Sequence, residues 1–282
     1  MLGHKLVQKF GENFDVWTTL RGNFRDYEKF NIFDCKKTFE NVDILDISGV
    51  EKFLARLRPQ VVVNAAGIVK QLPISKNVIE TVEINSIFPH RLQALAQKYK
   101  FRLITIGTDC VFSGKKGNYK ETDEADAVDV YGKSKSLGEI EGENCLVLRT
   151  SIIGRELNTR HGLVEWFLSN RGKKVKGFRN AVFSGVSTAE LADALADLIL
   201  NCKDLNGLYH LSGEPINKFD LLHLIKQAYH LDIEIEAEEN FKIDRSLDST
   251  AFRLKTGFKF SSWKQVIEEM ANDATGYDDF DK

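Results

Sequence analysis

Proline and cysteine are both scarce in this chain, four of each in 282 residues. So little proline leaves no proline-rich linker, and two halves without a linker are expected to interleave. The cysteines (Cys35, Cys110, Cys145 and Cys202) are scattered and form no C-x-x-C pair, which excludes a disulfide framework read from spacing. Six histidines show neither H-x-x-x-H nor H-E-x-x-H spacing, so no metal is expected. An excess of one charge is missing too. The formal net charge of -2 argues against nucleic acid or an anionic membrane surface as a partner. No apolar run approaches the roughly 20 residues of a bilayer span, and no signal peptide precedes the first helix. With thiols left unpaired, the cytoplasm is the expected location.

What is present suits a folded core: 43% hydrophobic residues, 10% aromatic and 28% charged. Short β-branched or aromatic runs at residues 14–19, 61–66, 101–107 and 145–150 read as strands. VVVNAA is apolar without alternation, as in a parallel strand covered on both faces. Between them, residues 48–57, 78–100 and 131–141 read as helices, and Leu92, Leu95, Ala96 and Tyr99 supply one apolar stripe. The pattern predicts an α/β fold, a doubly wound parallel sheet over 1–150 with a smaller α/β part over 151–282. In the second part, Ser187 and Glu190 form a capping-box signature before a helix to Asn201. A strand over 207–211, a helix over 217–229 and a last helix after Ser261-Ser262-Trp263 follow. The acidic Asp278 to Asp281 is expected to fray.

The sharpest chemical signal is Thr108, then Tyr131, with Lys135 one helical turn on. The Tyr-x-x-x-Lys spacing is weak by itself: seven Tyr and 26 Lys in this length give about 0.65 chance pairs. An exposed Tyr–Lys pair is the plainer reading of spacing alone. Context strengthens it, because the pair opens a helix and follows an apolar strand that ends in Thr108. An i, i+4 pair shares a helix face, so the ammonium is expected beside the phenol, lowering its pKa. The phenol can then protonate a carbonyl oxygen that Thr108 also holds.

The blocks TDCVFSG, ETDEAD, VYGKSK and LRTSIIG together resemble the extended short-chain dehydrogenase/reductases. More narrowly, they are similar to the dTDP-4-dehydrorhamnose reductase branch, the sugar-nucleotide reductases. Leu57-Arg58-Pro59 before VVVNAAG, then FRNAVFSGVSTAELAD and GLYHLSG, extend the resemblance nearly end to end. It implies a Rossmann-like sheet, NADP or NAD as cofactor, and Thr108, Tyr131 and Lys135 as the catalytic trio. It also implies hydride transfer to C4 of a 4-keto-6-deoxyhexose nucleotide, for polysaccharide sugar synthesis. An epimerase or dehydratase of the same superfamily, or a non-catalytic regulatory subunit, are the alternatives, and a homodimer is compatible with either.

By the same resemblance, the glycine-rich turn that receives the cofactor pyrophosphate would fall at Leu2, Gly3 and His4. The first strand and two earlier glycines are not in the sequence. A start assigned about ten residues too late is the expected explanation, and a chain that binds cofactor poorly is the other. Arg21 could pair with a 2′-phosphate, or be a solvated surface arginine. Asp43 and Ile44 match the adenine pair, and Asn64, Ala65, Ala66 and Gly67 match the small-residue strand end. Asn85 matches a helix asparagine, and Lys135 is expected to reach the ribose as well. For the substrate, Ile152 stands where the family has Trp, and Cys110 where it has Tyr. Arg179, Asn180 and Arg245 are candidate phosphate or sugar contacts, each equally compatible with a surface role. The segment from Gly22 to Asn41 reads as a helical insertion.

Overall fold

The parallel sheet forms where the unbroken apolar runs lie. In the computed structural model, which describes residues 1–277, four strands share it: β3 (Val61–Asn64), β4 (Arg102–Ile106), β5 (Cys145–Arg149) and β10 (Gly207–His210). Their order is β10-β5-β4-β3, all parallel. Alternate residues face opposite layers. Ile104, Leu146 and Leu148 pack against α1 (Leu2–Phe10) and α8 (Thr188–Asn201). Leu103 and Val147 meet α3 (Ile47–Leu57) and α5 (Phe88–Tyr99) on the other side. All five of these sheet side chains are fully buried. A doubly wound sheet with helices on both faces is therefore present as expected. Strand β10 comes from beyond residue 150 and pairs directly with β5, so the second half completes the sheet of the first.

Thr18–Thr19 (β1) and Thr38–Phe39 (β2) make a separate parallel pair. The larger sheet stops at β3, whose Val61, Val62 and Val63 are only half-buried. No described strand joins the two. The strand expected over 14–19 is correspondingly short. Phe14 and Val16 pack into the core beside α1, leaving two residues to pair. The segment from Gly22 to Asn41 is not a helical insertion. It holds one α-helical turn, α2 (Arg25–Glu28), a 3-10 turn over Cys35–Lys37, and then β2. Its aromatic content serves packing, since Phe30 closes a cluster with Leu157 and Tyr277.

The helix expected over 78–100 is interrupted. It runs as α4 (Val78–Val82), a π-turn over Glu83–Ile87, and α5. Pro89 explains the widening: it has no N–H for the carbonyl of Asn85, and its ring would crowd that oxygen. The following helix, α6 (Val130–Leu137), ends at Gly138, earlier than the pattern suggested.

Beyond β5 come β6 (Ile152–Ile153), α7 (Leu163–Leu168), β7 (Lys174–Phe178), β8 (Ala181–Phe183) and β9 (Val186–Ser187). After α8 and β10 follow β11 (Ile216–Asn217), α9 (Lys218–Ala228), β12 (Glu234–Glu238), β13 (Ile243–Asp244), α10 (Thr250–Thr256) and α11 (Trp263–Ala271). A second core of Phe167, Leu221, Leu222, Ile225 and Ile267 holds this part together. Ser187 caps α8 by accepting from Glu190 N at 3.0 Å. The Glu190 carboxylate does not return the bond; it accepts from Ser261 N at 2.6 Å, so the expected box is half-formed. A full capping box occurs at Ser262 and Gln265 instead. The acidic stretch from Asp278 lies outside the described residues. Among the described residues, no helix is long and apolar enough to cross a membrane.

Candidate active site

All the catalytic candidates gather at the carboxyl ends of the parallel strands, where open α/β sheets bind ligands. β4 runs out at Ile106, and Thr108 then caps a single 3-10 turn. Its Oγ1 accepts from Cys110 N at 3.2 Å and donates to Asp109 Oδ1 at 3.2 Å. Asp129 caps α6, accepting from Gly132 N at 2.8 Å and from Lys70 Nζ at 2.7 Å. That cap sets Tyr131 and Lys135 on one face of α6. Gly132 lets the helix approach the Thr108 turn, because a Cβ there would lie 2.3 Å from the Cys110 carbonyl.

Lys135 reaches toward the end of β3. A Cβ on Gly67 would sit 2.7 Å from Lys135 Nζ and 3.2 Å from Asn85 Oδ1. Asn85 is buried and binds the same loop twice, accepting from Ile68 N at 2.9 Å and donating to Ile68 O at 3.2 Å. It also donates to Ser134 Oγ at 3.2 Å, tying the loop to α6. A cavity of about 10 Å³, the size of one water, lies here among Asn64, Ala66, Asn85, Thr105, Lys135 and Glu139. Thr105 Oγ1, buried without a protein partner, is among the residues lining it.

Burial governs the electrostatics. Desolvation lowers the Lys135 ammonium to about 8. It also raises the Tyr131 phenol well above its usual value, helped by Cys110 and opposed by the Thr108 hydroxyl. The sequence reading expected a lowered phenol. The ammonium instead lies against Gly67 and Asn85, so desolvation decides the sign. Tyr131 is thereby fully protonated at neutral pH, the form a proton donor needs. Asp109, buried beside it, is raised by desolvation and held back chiefly by Arg245.

A nicotinamide dinucleotide fits the Lys135 end of this cleft. Gly67 leaves no room for a side chain beside the lysine, and Ala65, Ala66 and Gly67 are exposed backbone. The ammonium, with no carboxylate in ion-pair contact among the described residues, is a donor suited to ribose hydroxyls. Asp43 and Arg21 are exposed near β2 and β1, and Ile44 packs in the α3–α5 layer. At α1, Leu2 is core and the His4 ring bonds Tyr277 Oη at 3.1 Å, so Gly3 alone is open. Ile152 is half-buried on β6. Arg245 enters the cleft wall, its Nε donating to Phe112 O at 2.8 Å. Arg179 and Asn180 are exposed and engaged elsewhere: Arg179 stacks on Phe219 at 4.2 Å, and Asn180 donates to Glu239 O at 2.7 Å.

Three residues of the site were missed in the sequence. Asp129 was detectable as a cap residue just before a helix. Lys70 and Lys218 had no local signal, because only the tertiary fold brings them to the cleft.

A parallel, doubly wound sheet with Thr, Tyr and Lys converging at its carboxyl edge defines a chain of the short-chain dehydrogenase/reductase type. It belongs to the RmlD substrate binding domain family, whose model matches residues 2–275. The chain is 28% identical over 186 residues to dTDP-4-dehydrorhamnose reductase of Aggregatibacter actinomycetemcomitans, and the match covers 63% of each protein, under two thirds of that relative's length. It is 23% identical to methionine adenosyltransferase 2 subunit beta of Mus musculus, over 95% of this chain and 86% of the other. Among solved structures, dTDP-4-dehydrorhamnose reductase from Bacillus anthracis in complex with NADP superposes with a TM-score of 0.74 at 19% identity, covering 92% of this chain and all of that one.

Asn85→Ala removes three hydrogen bonds that fix the loop at Gly67–Ile68 against α6. A weakening of NADPH binding by about tenfold is the expected result, on the scale of one to two buried hydrogen bonds. Fluorescence titration with NADPH checks it.

Proposed function

We propose that this chain is an NAD(P)H-dependent reductase of a 4-keto-6-deoxyhexose nucleotide, acting in the cytoplasm in the synthesis of sugars for polysaccharide. The convergence of Thr108, Tyr131 and Lys135 beside the Gly67 approach carries this reading. Family membership and the likeness to a dTDP-4-dehydrorhamnose reductase support it.

When bound, the cofactor supplies the hydride. Asn85 and Gly67 shape the edge that its ribose would meet, and Lys135 would hold the ribose hydroxyls. Tyr131 delivers its phenolic proton to the carbonyl oxygen as that oxygen gains charge. Thr108 orients the same oxygen, and its hydroxyl is itself placed by Cys110 N and Asp109. Asp129 and Lys70 clamp the start of α6 across the loop that carries Gly67.

The direct test is oxidation of NADPH and NADH with dTDP-4-keto-6-deoxyglucose, followed at 6.5 to 9.5 in pH. Turnover is expected to depend on the Lys135 ammonium, which is charged below its pKa. Activity should hold below about pH 8, the value desolvation gives that group, and fall above it by about tenfold per unit. A flat profile up to 9.5 removes the ammonium from the mechanism. No turnover with either cofactor removes the reductase reading.

One observation favours a second reading, a subunit that serves another enzyme without turnover. The likeness to the methionine adenosyltransferase subunit runs over 95% of this chain. The same assay separates the two, since a non-catalytic subunit oxidises neither cofactor.

A further inference from the structure

Lys218 is a second lysine near the catalytic turn, outside the trio. It is the first residue of α9, directly after β11, which pairs antiparallel with β8 through Ile216 and Phe183. Its ammonium sits 3.9 Å from the centroid of the Phe183 ring. A ring face contributes to holding a cation but does not replace a counter-ion. Among the described residues, no carboxylate lies in ion-pair contact with Lys218. Asp109 is the largest opposing charge acting on it, and desolvation outweighs it, lowering the ammonium to about 8.

Asp109 is already committed. It accepts from Thr108, and Arg245 is the larger of the two cationic influences on it. Arg245 in turn donates Nε to the Phe112 carbonyl, and among the described residues no carboxylate is in ion-pair contact with its guanidinium. The cleft wall opposite the catalytic turn thus carries two cations against one buried carboxylate. Lys218 is half-buried, so a ligand anion can reach it, and a partly desolvated cation without a counter-ion recovers its desolvation cost as affinity on meeting one.

We propose that Lys218 is a substrate-binding residue that, with Arg245, receives the diphosphate of a nucleotide sugar. The inference rests on the sugar-nucleotide reading above. It commits to the diphosphate because that group is joined to the sugar at the carbon across the ring from a C4 ketone. A carbonyl held by Thr108 and Tyr131 therefore directs the phosphates away from α6, toward the part of the chain that contributes Lys218 and Arg245. A flexible ammonium suits the spread charge of a diphosphate, which a lysine meets as a point charge.

Calorimetric titration of the full chain with dTDP and with UDP tests this, using wild type, Lys218→Met and Lys218→Arg. NADPH titration of each variant by fluorescence is the control. Lys218→Met is expected to weaken the better of the two nucleotides by about 10- to 100-fold, the scale of a charge-assisted hydrogen bond. Lys218→Arg should restore most of that affinity, and NADPH should bind all three alike. Equal nucleotide binding by wild type and Lys218→Met overturns the role of Lys218 while leaving the sugar-nucleotide reading intact. Parallel loss of NADPH affinity also overturns it, because the lysine then acts through the fold. If wild type binds neither dTDP nor UDP, the sugar-nucleotide reading fails and this inference falls with it.

Discussion

Tyr131→Phe is expected to lower kcat by about 10²- to 10⁴-fold, the range that a positioned proton donor supplies. The substitution removes one oxygen and keeps the ring. Its neighbours at the Thr108 turn and on α6 keep their packing, so the fold and the approach at Gly67 should survive. NADPH affinity should therefore stay close to wild type, because Lys135, Gly67 and Asn85 are untouched. The direction of the phenol's pKa shift sharpens the prediction. Desolvation holds Tyr131 protonated across neutral pH, so the wild-type proton is always in place and its loss cannot be masked by partial ionisation. Single-turnover measurement with NADPH prebound isolates the chemical step. A variant that retains kcat within threefold of wild type would rule out Tyr131 as the donor.

Much of this site was legible in the sequence, for identifiable reasons. Thr108, Tyr131 and Lys135 are linked by local rules: a strand end, a helix start and one helical turn. Asn64 to Gly67 came from the family resemblance, and they lie at the end of β3, with Ala65, Ala66 and Gly67 exposed. What failed depended on packing between distant segments. The phenol's pKa had the wrong expected direction because spacing places Lys135 on the right face of α6 but says nothing of the burial around it. Glu190 looked like a capping partner, and the tertiary fold gave its carboxylate to Ser261 N instead. Gly22 to Asn41 looked helical by composition, yet Phe30 is used in a cluster with Leu157 and Tyr277, more than a hundred residues away. The π-turn at Asn85 had a visible cause in Pro89, although its consequence, a carbonyl pressed against α6, appears only when the helices are packed.

That carbonyl makes Gly138→Ala the other large effect expected. Gly138 has φ -92° and ψ 5°, a conformation open to any residue, so backbone freedom does not require glycine here. The requirement is space. A Cβ at this position would lie 1.9 Å from the Asn85 carbonyl oxygen and 3.0 Å from its carbon. Neither can retreat easily: Asn85 is fastened through its side chain to Ile68 and Ser134, and Ser86 Oγ donates to Ser134 O at 2.7 Å. The methyl must therefore push α6 away from the π-turn. Overpacking of this kind costs about 1–3 kcal/mol of stability. The displaced helix carries both Tyr131 and Lys135, and a shift of about 1 Å at reacting groups can cost on the order of 10²-fold in rate. Thermal unfolding and kcat measured on the same variant check the two parts together. Ser136→Ala, on the same helix and half-buried, is the comparison, and it should leave both nearly unchanged. If Gly138→Ala keeps wild-type turnover, α6 is not held by this contact, and the geometry of the trio must be fixed by the Asp129 cap and the hydrogen bonds to Ser134.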